Sequence, residues 1–126
     1  MKEGDIAQII IGNFPGWENL GIGHKSGLDC RKKDNSIILE IKNKYNTCNS
    51  NSQKTVYDKL SKYKKKYPKT RCILGIVNCS KLEEKIIHNE VQIEKIQGVK
   101  LLDLIFTSYT EDILEYTRNI MYPLEK

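Results

Sequence analysis

Between Gly27 and Thr47 the chain reads GLDCRKKDNSIILEIKNKYNT, and this stretch limits the available folds more than any other. Two short strands flank Asp34-Asn35, a pair suited to a tight polar turn. With the turn at that pair, Lys33 faces Ser36, Arg31 faces Ile38 and Asp29 faces Glu40. Side chains alternate along a strand, so Ile37, Leu39 and Ile41 share one face while Glu40 and Lys42 share the other. The second strand thus divides into an oily face, turned to a core, and an acid and amine face.

The rest of the chain has to supply that core. Its 126 residues suffice for one domain, residues 1–126, and not for two. The spacing of Ile6, Ile9, Ile10 and Ile11 predicts a helix over Lys2–Ile11 packed by its Ile face, ended by Gly12 and Pro15-Gly16. Trp17–Ile22 reads as a connector or short strand, with Trp17 a core or lid aromatic, and Gly21, Gly23 and Gly27 mark turns. Polar Thr47–Ser52 is a loop ending in a helix N-cap. Val56, Leu60, Tyr63 and Tyr67 form one helical stripe over Gln53–Tyr67, stopped by Pro68. Arg71–Asn78, with CILGIV at its centre, is a buried strand, and Val91–Ile96 is another. Val99–Phe106 reads as a short helix and Thr110–Met121 as a separate last one, beginning at Thr110-Glu111. The expected class is α/β, a mixed central sheet with helices on both sides.

Several function classes are excluded by composition. The longest apolar runs are a few residues, too short for a helix crossing a bilayer, and MKEGDIAQIIIGNF carries acids and no cleavage site after its Ile run. Cys30, Cys48, Cys72 and Cys79 make no CxxC pair, so reduced structural thiols in a cytoplasmic protein are expected, with a zinc site using His24 or His88 the lesser alternative. The net charge is +5 and the lysines cluster, the electrostatic footprint that suits a phosphate backbone.

The hairpin carries the chemistry. Directly opposed residues of an antiparallel pair have Cβ atoms about 4.5–5.5 Å apart, so Asp29 and Glu40 repel unless a cation lies between them. Two carboxylates are hard oxygen ligands suited to Mg²⁺, which keeps several waters and takes few protein ligands. Such a metal would polarise a phosphoryl oxygen and acidify a bound water, and the Lys42 ammonium would orient that water and offset developing charge. The backbone carbonyl of Ile41 is a further candidate ligand. Glu-x-Lys alone is weak: it recurs at Glu83-Glu84-Lys85, where no strand is expected before it. A solvated strand face with an ion pair is the plainer account of the same three residues.

Gly27-Leu28-Asp29 followed by Glu40-Ile41-Lys42 resembles the PD-(D/E)xK nuclease signature, with Leu28 where the signature has Pro. More narrowly, PGWENLGIGHKSGLD (Pro15–Asp29), ILEIKNKYNT (Ile38–Thr47) and the lead into YDKL (Tyr57–Leu60) resemble type II restriction endonucleases that cleave GGNCC-type sites. The resemblance implies a restriction-endonuclease-like core and hydrolysis of double-stranded DNA with Mg²⁺, for which Mn²⁺ would substitute. It also implies a homodimer at a near-palindromic site. Family members are typically longer, with sequence before the segment matching Met1. Target recognition or dimer contacts are accordingly expected to be reduced, altered or supplied by another chain.

Other residues are weighed beside this core. Glu3 is a candidate extra acid near the metal, with helix-dipole complementation the plain alternative and Glu18 a competitor. Asn43, Lys44, Asn46 and Thr47 follow the catalytic strand and are candidates for base edges or phosphates. Ser50, Ser52 and Lys54 sit at a helix start, a position that suits phosphate. His24 and Lys25 are candidates for DNA contact, with a histidine bonded within its own turn the plain reading; Lys62 and Lys64–Lys66 are expected to be solvated. The competing functions are an inactive DNA-gripping module of the same fold and a repair or junction nuclease.

Overall fold

The structure, a computed structural model, describes residues 3–21, 23–44, 50–78 and 82–121, with side chains described for 8–21, 23–42, 53–77 and 83–120. In chain order the elements are α1 (Glu3–Gly12), β1 (Trp17–Asn19), β2 (Cys30–Lys32), β3 (Ile37–Lys44), α2 (Ser50–Lys66), β4 (Arg71–Asn78), β5 (Leu82–His88), β6 (Val91–Gln97) and α3 (Val99–Met121). The strands form one six-stranded sheet in the order β1-β2-β3-β4-β6-β5. β3, β4 and β6 run parallel, and β2 and β5 run antiparallel to their neighbours. This is the mixed sheet flanked by helices that the sequence predicts.

Two apolar layers cover it. On one face Ile37, Leu39 and Ile41 pack with Ile11 of α1, Trp17, Cys30, Ile73 and the α3 residues Leu101 and Ile105. On the other, Val56, Leu60 and Tyr63 of α2 cover Leu28, Ile38, Cys72, Leu74, Ile76 and Ile93. Strands buried on both faces read as continuous apolar runs, which is why CILGIV identifies β4. α3 lies close because of Gly75: a Cβ there would meet Leu101 Cδ2 at 2.9 Å.

Several expectations change, among them the loop expected to run to Ser52, since α2 already begins at Ser50. The tight pair is not at Asp34-Asn35: Lys32 O accepts from Asn35 N–H at 2.8 Å, which makes Lys33 and Asp34 the central residues, and Asn35 follows them with a positive φ of 63°. The turn is therefore a longer one with a left-handed residue, yet the register is as counted, with Arg31 opposite Ile38 and Cys30 opposite Leu39. The two-residue turn of the fold is Asn89-Glu90, both left-handed (φ 50° and 73°), closing β5 onto β6 with His88 opposite Val91. β5 itself carries Glu83-Glu84-Lys85 on the sheet edge, exposed, where no strand was expected. An edge strand needs only one pairing partner, and charge blunts its free side, so it lacks an apolar signature.

α3 is one helix rather than two. Ser108 and Thr110 look like a break, but Lys32 Nζ donates to Ser108 Oγ (2.6 Å) and Asp112 Oδ2 (2.9 Å), tying both turns to β2. Thr110 Oγ1 donates back to Phe106 O within the helix. In α1, Ile11 is buried while Ile9 and Ile10 are exposed, so the expected Ile face is only partly used, and Tyr67 likewise leaves the buried α2 stripe. β3 does not split cleanly either. Ile38, fully buried, lies on the same face as Glu40, so that face is oily at its start and polar only toward its C-terminal half.

Candidate active site

The polar half of β3 owes its position to where β2 stops. The backbone ladder ends with Asp29 N–H donating to Leu39 O at 3.0 Å, and beyond it the Asp29 side chain takes over: Oδ2 accepts from Ile41 N–H at 2.8 Å. This fixes the Asp29 carboxylate at the edge of β3, beside Glu40. In a strand, the N–H and C=O of one residue point to the same edge. The Ile41 carbonyl therefore lies on the Asp29 side, past the last paired residue of β2.

Glu40 is buried, and the position is costly for a charge. Desolvation, the Asp29 charge and a hydrogen bond with Asp29 push its carboxyl from 4.5 up to about 8, against the pull of Lys42 and Lys59. Lys42, half-buried two residues on, shares its face. The structure thus brings Asp29, Glu40, the Ile41 carbonyl and Lys42 together. A buried carboxyl beside a half-buried carboxylate is a pair of hard oxygen donors of the kind a divalent cation fits. Among the described residues, no group of three or more His, Cys, Asp or Glu side chains converges, so the protein side chains offered at this site are two.

Lys59 escaped sequence reasoning. From α2 its Nζ donates to Gly27 O at 3.2 Å and lies 3.9 Å from Glu40 Oε2. The available signal was its place three residues after Val56 and next to Leu60, on the flank of the buried stripe; five other lysines on the helix obscured it. Gly27, with φ +70°, brings the chain under that lysine, 3.2 Å from Lys59 Cδ to the point where a Cβ would stand.

The remaining candidates separate. His24 is bonded within its own turn, Nδ1 meeting Ser26 Oγ at 2.7 Å and accepting from Ser26 N–H at 3.1 Å. With Lys25 it lines a cavity next to the carboxylates rather than touching them. Glu18 is engaged by Arg31 at 2.6 Å, so it is not available as the extra acid. Lys54 is exposed on α2 and acts on Asp58, one turn along. Asn46 and Thr47 lie outside the described residues, as do the side chains of Glu3, Asn43, Lys44, Ser50 and Ser52. Lys64 is not simply solvated, since its Nζ donates to Thr70 O at 2.8 Å, and Lys62 and Lys66 line the cavity.

Cys30 and Cys72 are free thiols buried in opposite layers of the core. Burial pushes both up to about 12, aided at Cys30 by the charges of Asp29 and Glu40, and with the sheet between them they cannot share one zinc. The zinc alternative therefore fails for this pair; Cys48 and Cys79 lie outside the described residues. No described helix is long and apolar enough to cross a membrane.

Comparison with known proteins shows the family. The type II restriction enzyme Sau96I of Staphylococcus aureus is 35% identical over 69 residues, a match covering 55% of this chain and 26% of that enzyme. The chain thus spans about a quarter of the length of the curated relative it matches. No solved structure matches it. A family model described as Eco47II restriction endonuclease matches residues 2–108, well over half of the sequence, and the chain belongs to that restriction endonuclease family.

Proposed function

We propose that this chain is a Mg²⁺-dependent type II endonuclease that hydrolyses phosphodiester bonds of double-stranded DNA, acting as a homodimer on a GGNCC-type site. The observation that carries the reading is the buried Glu40 beside Asp29, with Lys42 on the same face of β3. Asp29, Glu40 and the Ile41 carbonyl would hold the metal. When bound there, Mg²⁺ would polarise a phosphoryl oxygen and make a water more acidic. Lys42 orients that water and offsets the negative charge gathering on the phosphoryl oxygens. The sheet keeps Asp29 in place by its bond to Ile41 N–H, so the acid cannot swing away from Glu40. The GGNCC target rests on the resemblance of Pro15–Asp29 and Ile38–Thr47 to enzymes of that specificity.

The homodimer reading is supported by α3. Val99, Leu102, Phe106, Tyr109, Ile113, Tyr116 and Ile120 recur at alternating steps of three and four, the 3.5-residue period of a paired helix. All but Tyr109 are exposed large apolar side chains. Together they offer on the order of 700 Å², close to what each partner of a standard interface buries. A second copy answers the need to cut two strands with one metal site per chain.

The test is plasmid DNA incubated with the protein and Mg²⁺, with and without chelator. Discrete cuts that disappear on chelation are expected, and Lys42→Ala should cut slower by about 10²–10³-fold. Equal behaviour of wild type and Lys42→Ala refutes the assignment. Salt-sensitive binding without cutting would indicate a gripping module instead, and preference for branched DNA would indicate a junction nuclease.

A further inference from the structure

Beside the carboxylates lies a half-enclosed cavity of about 510 Å³, lined by residues of the glycine-rich bend, β2 and α2. Five cationic side chains reach it, Lys25, Arg31, Lys59, Lys62 and Lys66, and among the described residues no carboxylate stands in its wall. Two of the five are engaged, Arg31 by Glu18 and Lys59 by Gly27 O and Glu40. Among the described residues, no carboxylate pairs with Lys25, Lys62 or Lys66. So many like charges around one hollow are mutually repulsive, and an anion relieves them.

The wall beneath the charges is aromatic. Tyr63 and Tyr67 have ring centroids 4.8 Å apart. Tyr63 is held in place, its hydroxyl donating to Asn35 Oδ1 and accepting from Arg31 at 3.3 Å. Tyr67, just after α2, is 37% exposed, and Lys66 Nζ lies 5.4 Å from its ring centroid, so ring and cation face the hollow together. The volume falls within the about 300–1,000 Å³ of small-molecule sites. Cations at the rim and rings at the wall match a phosphate joined to a flat heterocycle, because aromatic faces stack any base and ammonium groups take the phosphate.

The geometry points to a site for a single nucleotide, its base against Tyr63 and Tyr67 and its phosphate at Lys25, Lys62 and Lys66. Lys59 and Gly27 are shared between this cavity and the carboxylates, so the seat adjoins the metal site. An unpaired nucleotide of the DNA strand and a free nucleoside monophosphate have this same chemistry. Its place beside a scissile bond rests on the nuclease reading; its capacity to bind does not.

Calorimetry on the full chain in chelator, with 2′-deoxyadenosine 5′-monophosphate, 2′-deoxyadenosine and inorganic phosphate as separate probes, tests the proposal. The nucleotide should bind about tenfold or more tighter than either fragment, and Tyr67→Ala should weaken it by about tenfold while Tyr67→Phe leaves it within about twofold. Lys62→Glu together with Lys66→Glu should abolish binding, and Lys42→Ala should leave it unchanged. Phosphate binding as tightly as the nucleotide, indifference to Tyr67→Ala, or loss in Lys42→Ala overturns the inference. A duplex with one unpaired adenine that displaces the nucleotide identifies the strand as the source; failure to displace identifies the free nucleotide. A protein that binds the nucleotide but never cuts DNA sinks the nuclease reading alone, and one that cuts but ignores the nucleotide sinks this one alone.

Discussion

Glu40→Gln should make the metal-free protein more stable while abolishing its proposed catalysis, and the gain should appear only at high pH. Burial, the Asp29 charge and the bond to Asp29 raise the Glu40 carboxyl from 4.5 to about 8 in the folded chain. The folded state therefore holds a proton that the unfolded state releases. Glu40's contribution to stability is complete below pH 4.5 and is lost as pH rises through about 8. A shift of that size sets a ceiling of roughly 5 kcal/mol near pH 9. Residual hydration and relaxation around the ionised carboxylate should reduce the realised cost to about 2 kcal/mol.

Gln keeps the volume and the hydrogen-bonding capacity of Glu and never carries the charge. Urea denaturation in chelator should place the two proteins within about 0.5 kcal/mol of each other at about pH 5. Near pH 9 the variant should be more stable by about 2 kcal/mol, roughly 6–10 °C in Tm for a chain of this length. Saturating Mg²⁺ should then reverse the order, because a ligand at about 100 times its Kd adds about 2.7 kcal/mol to the form that binds it. Equal loss of stability at both pH values would refute the reasoning, since Glu40 would then be a structural acid rather than a strained one.

Other consequences are open to direct measurement. Gly75→Ala places a methyl 2.9 Å from Leu101 Cδ2 and 3.0 Å from Cδ1, so urea denaturation should show a loss of about 1–3 kcal/mol. Glu90→Gly should stabilise by about 0.5–1 kcal/mol, because φ of 73° strains a side chain there and not glycine. Ile113→Asp, in the middle of the α3 stripe, should convert dimer to monomer in light scattering while leaving far-UV circular dichroism unchanged; a monomeric wild type would refute the pairing.

What the sequence made legible, and what it hid, follow from how each signal arises. The register of Asp29 against Glu40 was readable although the turn type was not, because the alternation of Ile37, Leu39 and Ile41 against Glu40 and Lys42 sets the faces independently of the loop. β4 was readable because burial on both faces leaves an unbroken apolar run. β5 was not, since an edge strand has no such run. The continuity of α3 depends on the Lys32 ammonium from a strand some 80 residues earlier, and no local propensity encodes that contact. Lys59 and the basic cavity were hidden for the same reason: they exist only once α2 lies across the glycine-rich bend.

The fold also explains why one acid lies on a strand and the other just before one. Were Asp29 and Glu40 on one strand face, their spacing would be fixed by the pleat. Drawn instead from the residue before β2 and the middle of β3, they are set by a single hydrogen bond, Ile41 N–H to Asp29 Oδ2, which also aligns the Ile41 carbonyl with them. The repulsion so created is only partly answered by Lys59, whose 3.9 Å separation from Glu40 is too long for a hydrogen bond. A closer ammonium would neutralise the pair and compete with a divalent cation for it. At this distance Lys59 limits the cost of the metal-free state while leaving the carboxylates under-compensated, which is the electrostatic condition for binding a metal strongly and releasing a proton as it does so.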